Sequence, residues 1–224
     1  MEMKEVSRFL ADLAENNNQA WFDANKARYL EARAAVDRLT EELIAGIRSF
    51  DDTVGPLSVR DCIFRIYKDV RFSKDKLPYK THMGTYIARG GKKSGYIGYY
   101  FQIGGRREDN MLAVGNYWHP PGAANTIKED IMMGDGDFRE ILSKVDPRLE
   151  LDFTGAYRKV PAGFPAEGPD AEFYKIKVFC LWSQPDFRFM HAPNLARRVT
   201  EIFKTAKPFV DYINRAIEYT LEEK

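Results

Sequence analysis

The chain of 224 residues has few of the residue types that usually build metal and disulfide sites. It contains two cysteines, Cys62 and Cys180, and three histidines, His82, His119 and His191. Two cysteines so far apart support neither a zinc site nor a disulfide framework, and they favour a reducing, cytoplasmic setting. The scattered histidines do not have the spacing of metal ligands. We therefore predict no metal site, and the sequence does not identify a cofactor.

The chain also lacks a large net charge and a long apolar run. The chain carries 34 lysines and arginines against 33 aspartates and glutamates, a formal net charge of +1. Bulk attraction to nucleic acid or to anionic lipid is therefore not expected, and nucleic acid is an unfavoured partner. No segment approaches the roughly 20 apolar residues of a membrane-spanning helix, nor does the N-terminus resemble a signal peptide. We expect a soluble cytoplasmic protein without a membrane partner.

The best-known catalytic signatures are absent as well. The sequence contains no glycine-rich phosphate loop that ends in Gly-Lys-Ser/Thr, no dinucleotide fingerprint and no Gly-x-Ser-x-Gly elbow. These absences remove the enzyme families that are easiest to recognise. They leave open whether the protein is an enzyme.

The N-terminal quarter has the periodicity of helices. Residues 4–15 place apolar side chains on one face, and Asn17 or Asn18 is positioned to cap a second helix. Between residues 22 and 50, apolar positions recur every three or four residues, which predicts one long amphipathic helix. Asn25 interrupts this apolar face. Its amide belongs either to a satisfied contact in the core or to a site at the start of the helix.

The middle of the chain predicts strands joined by short turns. The glycine-rich stretch 89–95 separates two of them and indicates a hairpin. Consecutive strands with short connections favour an antiparallel sheet. The predicted strands cover residues 61–66, 81–88, 96–103 and 111–117.

The remainder of the chain is mainly helical. Residues 147–169 are irregular, and a stretch of that length indicates a functional loop or unrecognised short strands. Apolar stripes predict helices over residues 126–133, 138–145, 195–203 and 209–217. Helices, then strands, then helices predict an α+β fold, with a mainly antiparallel sheet packed against the N-terminal and C-terminal helices. We expect residues 1–224 to form a single domain.

The segment 65–82 concentrates basic residues. It holds six lysines and arginines against two aspartates, a local surplus of four positive charges. Arg65 follows strand-like sequence, and a planar guanidinium suits phosphate or carboxylate because it binds them through two hydrogen bonds. Basic loops that also contain acids are often solvated surfaces with weak ion pairs, or networks that brace a fold. Both interpretations of this segment stay open.

Two parts of the sequence resemble a known family. The first is Asn17-Asn18, Trp21-Phe22, Asn25-Lys26 and Tyr29; the second runs from Arg65 to Lys76 and continues in Pro78-Tyr79-Lys80. Together they resemble the domain of unknown function numbered 2461, and the resemblance covers nearly the whole chain. It implies one domain. It also implies the candidate ligand-binding residues Trp21, Asn25, Lys26, Arg65, Asp69, Arg71, Asp75, Lys76, Tyr79 and Lys80.

The chain departs from the family pattern at two positions. Lys68 stands where arginine is usual, which keeps the charge but loses bidentate geometry. Ala162 stands where a basic residue is usual, so that loop is a weak contributor to an anion site.

Two functional hypotheses follow from the basic segment. The first is a site for a small anionic ligand that bears phosphate or carboxylate, and it predicts that Arg65, Arg71 and Lys80 converge on one pocket. The alternative is a structural salt-bridge network in a module that interacts with protein or nucleic acid. Substrate, reaction type and oligomeric state are not indicated by the sequence.

Overall fold

The computed structural model describes residues 1–69, 71, 76–118, 120–134 and 136–222. The chain begins with three helices, α1 (Met3–Glu15), α2 (Gln19–Ala24) and α3 (Lys26–Arg48). Helix α1 lies where it was predicted. Of the two predicted capping residues, Asn18 is the one that caps α2, because its side-chain oxygen accepts a hydrogen bond of 3.0 Å from the backbone N–H of Trp21.

The prediction of one long helix over residues 22–50 is wrong at Asn25. This residue ends α2 and precedes α3, with φ −106° and ψ 18°. Its Nδ2 donates a hydrogen bond of 2.9 Å to the carbonyl of Trp21. An asparagine side chain that bonds to nearby backbone competes with the helix, and the apolar periodicity marked Asn25 only as a polar residue on the apolar face, not as a helix end.

The prediction of a strand over residues 61–66 is also wrong for its first residues. Helix α4 (Val59–Cys62) occupies that position. Its start is fixed by a capping box in which Asp61 Oδ2 accepts hydrogen bonds from the backbone N–H of Ser58 (2.8 Å) and from its hydroxyl (2.6 Å). The chain then becomes extended, and Ile63 forms an isolated bridge with Thr85.

Five strands form one antiparallel sheet in the described part of the chain, in the order β1-β2-β3-β5-β4. The first three occupy the predicted positions, and the β1–β2 hairpin is confirmed. Strand β4 lies inside the irregular stretch 147–169, whereas β5 has too short a pattern to be recognised. The strands are β1 (His82–Ile87), β2 (Gly98–Gly104), β3 (Met111–Gly115), β4 (Glu150–Leu151) and β5 (Cys180–Ser183).

The C-terminal half supplies the remaining helices and completes the α+β fold that the sequence predicted. Helix α8 packs against α3, and α9 packs against α5 and α6. None of the helices in the described residues has both the length and the apolar character needed to cross a bilayer. These helices are α5 (Ala123–Met133), α6 (Asp137–Ser143), α7 (Phe187–Met190), α8 (Leu195–Thr205) and α9 (Lys207–Glu222).

The two faces of the sheet have different surroundings. Because side chains alternate along a strand, Tyr99, Phe101 and Ile103 of β2 share one face, and all three are buried. That face packs against α1, α3 and α8; the Tyr99 ring, for example, lies 5.4 Å from the ring of Phe203 in α8. The opposite face carries Tyr100 and Gln102 and is only partly covered.

A buried polar contact joins the sheet to the loop after α3. The hydroxyl of Tyr99 donates a hydrogen bond of 2.8 Å to Asp51 Oδ2, and Asp51 is 1% exposed. The other oxygen of Asp51 accepts from the Thr53 hydroxyl at 2.6 Å and lies 3.7 Å from Lys207 Nζ. Removing one donor from a buried carboxyl leaves part of its desolvation uncompensated.

We predict that Tyr99→Phe lowers the free energy of unfolding by about 1–3 kcal/mol, because Asp51 loses a buried donor. Urea denaturation of the variant and the wild type measures the difference. Tyr96→Phe is the matched control, since the Tyr96 hydroxyl makes no hydrogen bond within the described residues. Equal stability of Tyr99→Phe and wild type would show that the contact contributes nothing.

Candidate functional site

A cavity of about 480 Å³ lies on the partly covered face of the sheet. Its floor is formed by alternate residues of neighbouring strands, which point to the same side. Register confirms the arrangement, because Gly84 pairs with Gln102, and Gln102 with Met111. The floor consists of His82, Gly84, Tyr86, Tyr100, Gln102, Met111, Ala113, Gly115 and Cys180.

Small residues in the strands allow larger neighbouring residues to pack across the floor of this cavity. A Cβ at Gly84 would lie 2.5 Å from the hydroxyl of Tyr100, so the Tyr100 side chain occupies space that any larger residue would need. A Cβ at Gly115 would lie 2.7 Å from Cys180 Sγ, and φ at Gly115 is +154°. These glycines therefore allow Tyr100 and Cys180 to approach the neighbouring backbone closely. Ala113, another small residue of the floor, pairs with Tyr100.

Polar groups of the floor are held by hydrogen bonds. The Tyr86 hydroxyl lies within hydrogen-bonding distance of two backbone carbonyls, that of Gly115 at 2.8 Å and that of Tyr96 at 3.0 Å, and can donate its proton to either. The Tyr100 hydroxyl donates to Gln102, whose Nε2 donates to the carbonyl of Asp109 at 2.6 Å. Burial raises the pKa of Tyr86 and of Tyr100, so both phenols keep their protons at neutral pH.

Three basic side chains, Arg65, Lys80 and Lys92, line the cavity along the β1 edge of the sheet. They come from segments that the backbone ties to that edge. The N–H of Phe64 donates to the carbonyl of Gly84 at 3.1 Å, and the N–H of Lys80 donates to the carbonyl of Ile66 at 2.8 Å. Lys92 is held near the same edge, where its backbone N–H donates to the carbonyl of Asp61 at 3.0 Å.

No aspartate or glutamate is among the described residues that line this cavity. Within the same part of the chain, neither Arg65 nor Lys80 forms an ion pair, and the amine of Lys80 lies 5.5 Å from the centre of the Phe64 ring. Burial, and secondarily the charge of Arg65, lowers the pKa of Lys80. The cavity therefore concentrates positive charge that its own lining does not neutralise.

His82 lies beside these cations at the start of β1. Burial lowers its pKa to about 4, with the positive charges of Lys80 and Lys68 acting in the same direction. The imidazole is consequently neutral at physiological pH. It can accept or donate a hydrogen bond in the cavity without adding a charge of its own.

The cavity brings together only part of the predicted site. Arg65 and Lys80 line it, whereas Arg71 does not: its guanidinium pairs with Asp69 at 2.7 Å, and the two side chains are 76% and 43% exposed. Lys76 is exposed and does not line the cavity. Asp75 lies outside the described residues. The predicted convergence therefore holds for Arg65 and Lys80 and fails for Arg71.

The other predicted site residues belong to an aromatic cluster around Tyr79. The Tyr79 ring stacks on Phe22 with the ring centres 4.0 Å apart, and Lys26 lies 5.6 Å from the centre of the Phe22 ring. Trp21 stacks at 6.1 Å on Phe9, in the same cluster. Trp21, Lys26 and Tyr79 thus lie away from the cavity, and so does Asn25.

The side chain of Asn25 makes a satisfied polar contact and is not part of a site at the start of the helix. Its Nδ2 bonds to the carbonyl of Trp21, and its Oδ1 accepts from Arg28 at 3.2 Å. Asn17 has the more consequential amide: its Nδ2 donates to the carbonyl of Tyr79 at 2.9 Å, and its Oδ1 accepts from the Tyr79 N–H at 3.1 Å. We call this pair of hydrogen bonds the Asn17–Tyr79 clasp.

A family model described as "Conserved hypothetical protein (DUF2461)" matches residues 5–212. The chain belongs to this family. Comparison with curated proteins gives no match, and comparison with solved structures gives none either. In this DUF2461 member, the clasp joins the two parts of the sequence motif, because Asn17 belongs to the first part and Tyr79 to the end of the second.

Sequence reasoning missed most of the cavity. Lys92 lies in the glycine-rich stretch 89–95, which predicted only a hairpin. Tyr86, Tyr100 and Gln102 lie in segments that predicted only strands. The available signal was the alternation of glycine or alanine with large residues in neighbouring strands, as at Gly84 and Ala113. Glycine inside a strand often marks a site where another group approaches closely.

We predict that Asn17→Ala lowers the free energy of unfolding by about 1–3 kcal/mol, because both backbone groups of Tyr79 lose their partner. Thermal or urea unfolding measures this effect. Asn16→Ala is the neighbouring control, since Asn16 is exposed and bonds only to a carbonyl of its own helix in the described residues. An Asn17→Ala protein as stable as Asn16→Ala would show that the clasp is dispensable.

We also predict a pH dependence from His82. An unfolded histidine gains its proton near pH 6.5, whereas folded His82 stays neutral down to about pH 4. The unfolded state therefore binds more protons in this window, and stability falls as the pH falls from 6.5 towards 4.

The stability advantage of wild type over His82→Gln should accordingly shrink by about 1–3 kcal/mol between pH 7 and pH 4.5. Urea denaturation of both proteins at the two pH values measures it. Carboxylates titrate in both proteins, so the difference isolates His82. A difference that does not change with pH would contradict the depressed pKa.

Proposed function

We propose that this protein binds a small anionic ligand, bearing phosphate or carboxylate, in the cavity on the open face of the sheet. The observation that carries the proposal is the charge of the lining. Arg65, Lys80 and Lys92 contribute three basic groups, and the described lining contributes no carboxylate. An anion placed between these groups offsets both the desolvation of the Lys80 ammonium and its repulsion by Arg65.

The remainder of the cavity supports a small molecule as the ligand. A volume of about 480 Å³ lies within the range of small-molecule sites, and such sites combine an apolar lining with a few fixed polar groups. The amides of Gln102 and Asn116 and the phenol of Tyr86 supply those groups here. Arginine and lysine are the residues that recognise phosphate and carboxylate most often.

The exposed Asp69–Arg71 pair gives little support to the alternative, a salt-bridge network that braces the fold. Both side chains are substantially solvent-accessible, and exposed ion pairs contribute about 0–1 kcal/mol to stability. Arg65 and Lys80, which a bracing network would have to pair, form no ion pair in the described residues. The proposal therefore places the function at the cavity rather than along the whole basic segment.

The proposal is for binding. Burial raises the pKa of Cys180 to about 12, so its thiol is a poor nucleophile at neutral pH. Because burial lowers the pKa of His82 to about 4, its imidazole is a weak base at that pH. We propose the cytoplasm as the setting, because Cys62 and Cys180 are both free thiols in the structure and a reducing compartment keeps thiols free.

A thermal-shift titration tests the proposal. Inorganic phosphate, phosphate monoesters and carboxylates should raise Tm selectively, by up to several degrees at 100 times Kd, where binding adds about 2.7 kcal/mol. Arg65→Ala and Lys80→Met should abolish the shift, because each removes one cation from the cavity. Lys80→Met keeps the apolar stem that packs near Phe64.

Arg38→Ala is the matched control, because Arg38 is an exposed arginine of α3 that does not line the cavity. It should keep the full shift. The proposal is wrong if no anion raises Tm in the wild type, or if Arg65→Ala and Lys80→Met respond like Arg38→Ala. Strong destabilisation by both cavity variants, without any ligand-dependent shift in the wild type, would favour the structural alternative.

A further inference from the structure

A second, smaller cavity of about 340 Å³ adjoins the first. The two share Tyr117, and the chain segments that line them are continuous: Gly115 pairs with Cys180 at the floor of the first cavity. From that pair, one segment runs on to Trp118 and the other runs back to Lys177, which both line the second cavity. A ligand longer than the first cavity can therefore pass over Tyr117 into the second.

Two aromatic side chains stand at the junction of the cavities. Tyr117 and Trp118 are each 61% exposed, so most of each ring is available for contact. Trp118 also approaches the β1–β2 loop, where its ring lies 3.3 Å from the position of a Cβ at Gly95. Its backbone N–H donates to Asn116 Oδ1 at 3.0 Å, which helps to fix the turn that presents both rings.

The charges around the two cavities differ from one end to the other. The cations Arg65 and Lys80 lie along the β1 edge, whereas Asp152 lies near Tyr117 and Cys180 on the opposite side. The second cavity also contains one cation, Lys177, whose amine lies 4.5 Å from the centre of the Tyr157 ring. A ligand with its negative charge beside Arg65 and Lys80 and its uncharged part beside Tyr117 keeps that charge away from Asp152. Pro120, Pro121 and Val178 add apolar surface in the second cavity.

We infer that the ligand combines an anionic group with a planar ring: its phosphate or carboxylate lies against Arg65 and Lys80, and its ring stacks on Tyr117 and Trp118. The inference rests on the proposed function and narrows it to aromatic phosphates or aromatic carboxylates. Aromatic rings recognise planar groups through stacking, which is tolerant of the ring's substituents.

Matched probes that differ only in the ring provide the test. Isothermal titration calorimetry compares inorganic phosphate, ethyl phosphate and phenyl phosphate, together with acetate and benzoate. We expect the wild type to bind phenyl phosphate at least about 10-fold more tightly than ethyl phosphate, or benzoate more tightly than acetate, as stacking of one ring predicts.

Trp118→Ala and the double variant Tyr117→Ala/Trp118→Ala should lose most of this preference and keep the affinity for the ring-free probes. Both side chains are largely exposed, so these variants are expected to fold. Lys80→Met should instead weaken every anionic probe. Leu30→Ala removes an exposed apolar side chain, 56% accessible, that lines neither cavity, and it should leave the preference intact.

The outcomes separate the inference from the proposal on which it rests. Equal affinity of the wild type for the ring-bearing and ring-free probes overturns the inference but leaves anion binding in place. A ring preference that persists in the double variant also overturns it. Absence of binding for every phosphate and carboxylate overturns the inference and the proposed function together.

Discussion

The Asn17–Tyr79 clasp is the contact on which the geometry of this protein depends. Through one side-chain amide it satisfies both backbone groups of Tyr79, and the stacking of Tyr79 on Phe22 seals the same junction with apolar surface. Lys80 is the next residue along the chain, and its N–H bonds to the segment that carries Arg65. A contact between the N-terminal helices and the sheet edge therefore fixes the basic side of the cavity.

The sheet separates stability from the proposed recognition. One face carries Tyr99 and Phe101 and is buried against helices, and the other carries Tyr100 and Gln102 and is left open over the cavity. Alternation along a strand assigns neighbouring residues to these two environments. Changes to Tyr100 and Gln102 can consequently alter the cavity lining while the apolar residues of the opposite face, the main source of stability, stay buried.

Membership of the family and the sequence motif did not by themselves define a site. Motif residues divide between two roles: Trp21 and Tyr79 belong to an aromatic cluster that holds the fold together, whereas Arg65 and Lys80 line the cavity. Arg71 forms an exposed ion pair with Asp69 and does not line the cavity. A motif residue in this chain can therefore be structural, and adjacency in the motif does not predict adjacency in the cavity.

The sequence by itself determined the α+β class, the strands β1 to β3, a capping asparagine at position 17 or 18 and the basic character of segment 65–82, because periodicity and local charge are properties of neighbouring residues. It could not place the helix break at Asn25 or the capping box of α4, where side chains bond to nearby backbone. Only the tertiary structure decided that Lys92 joins Arg65 and Lys80. Those three residues meet through strand register and through backbone bonds between distant segments, and neither leaves a periodic trace in the sequence.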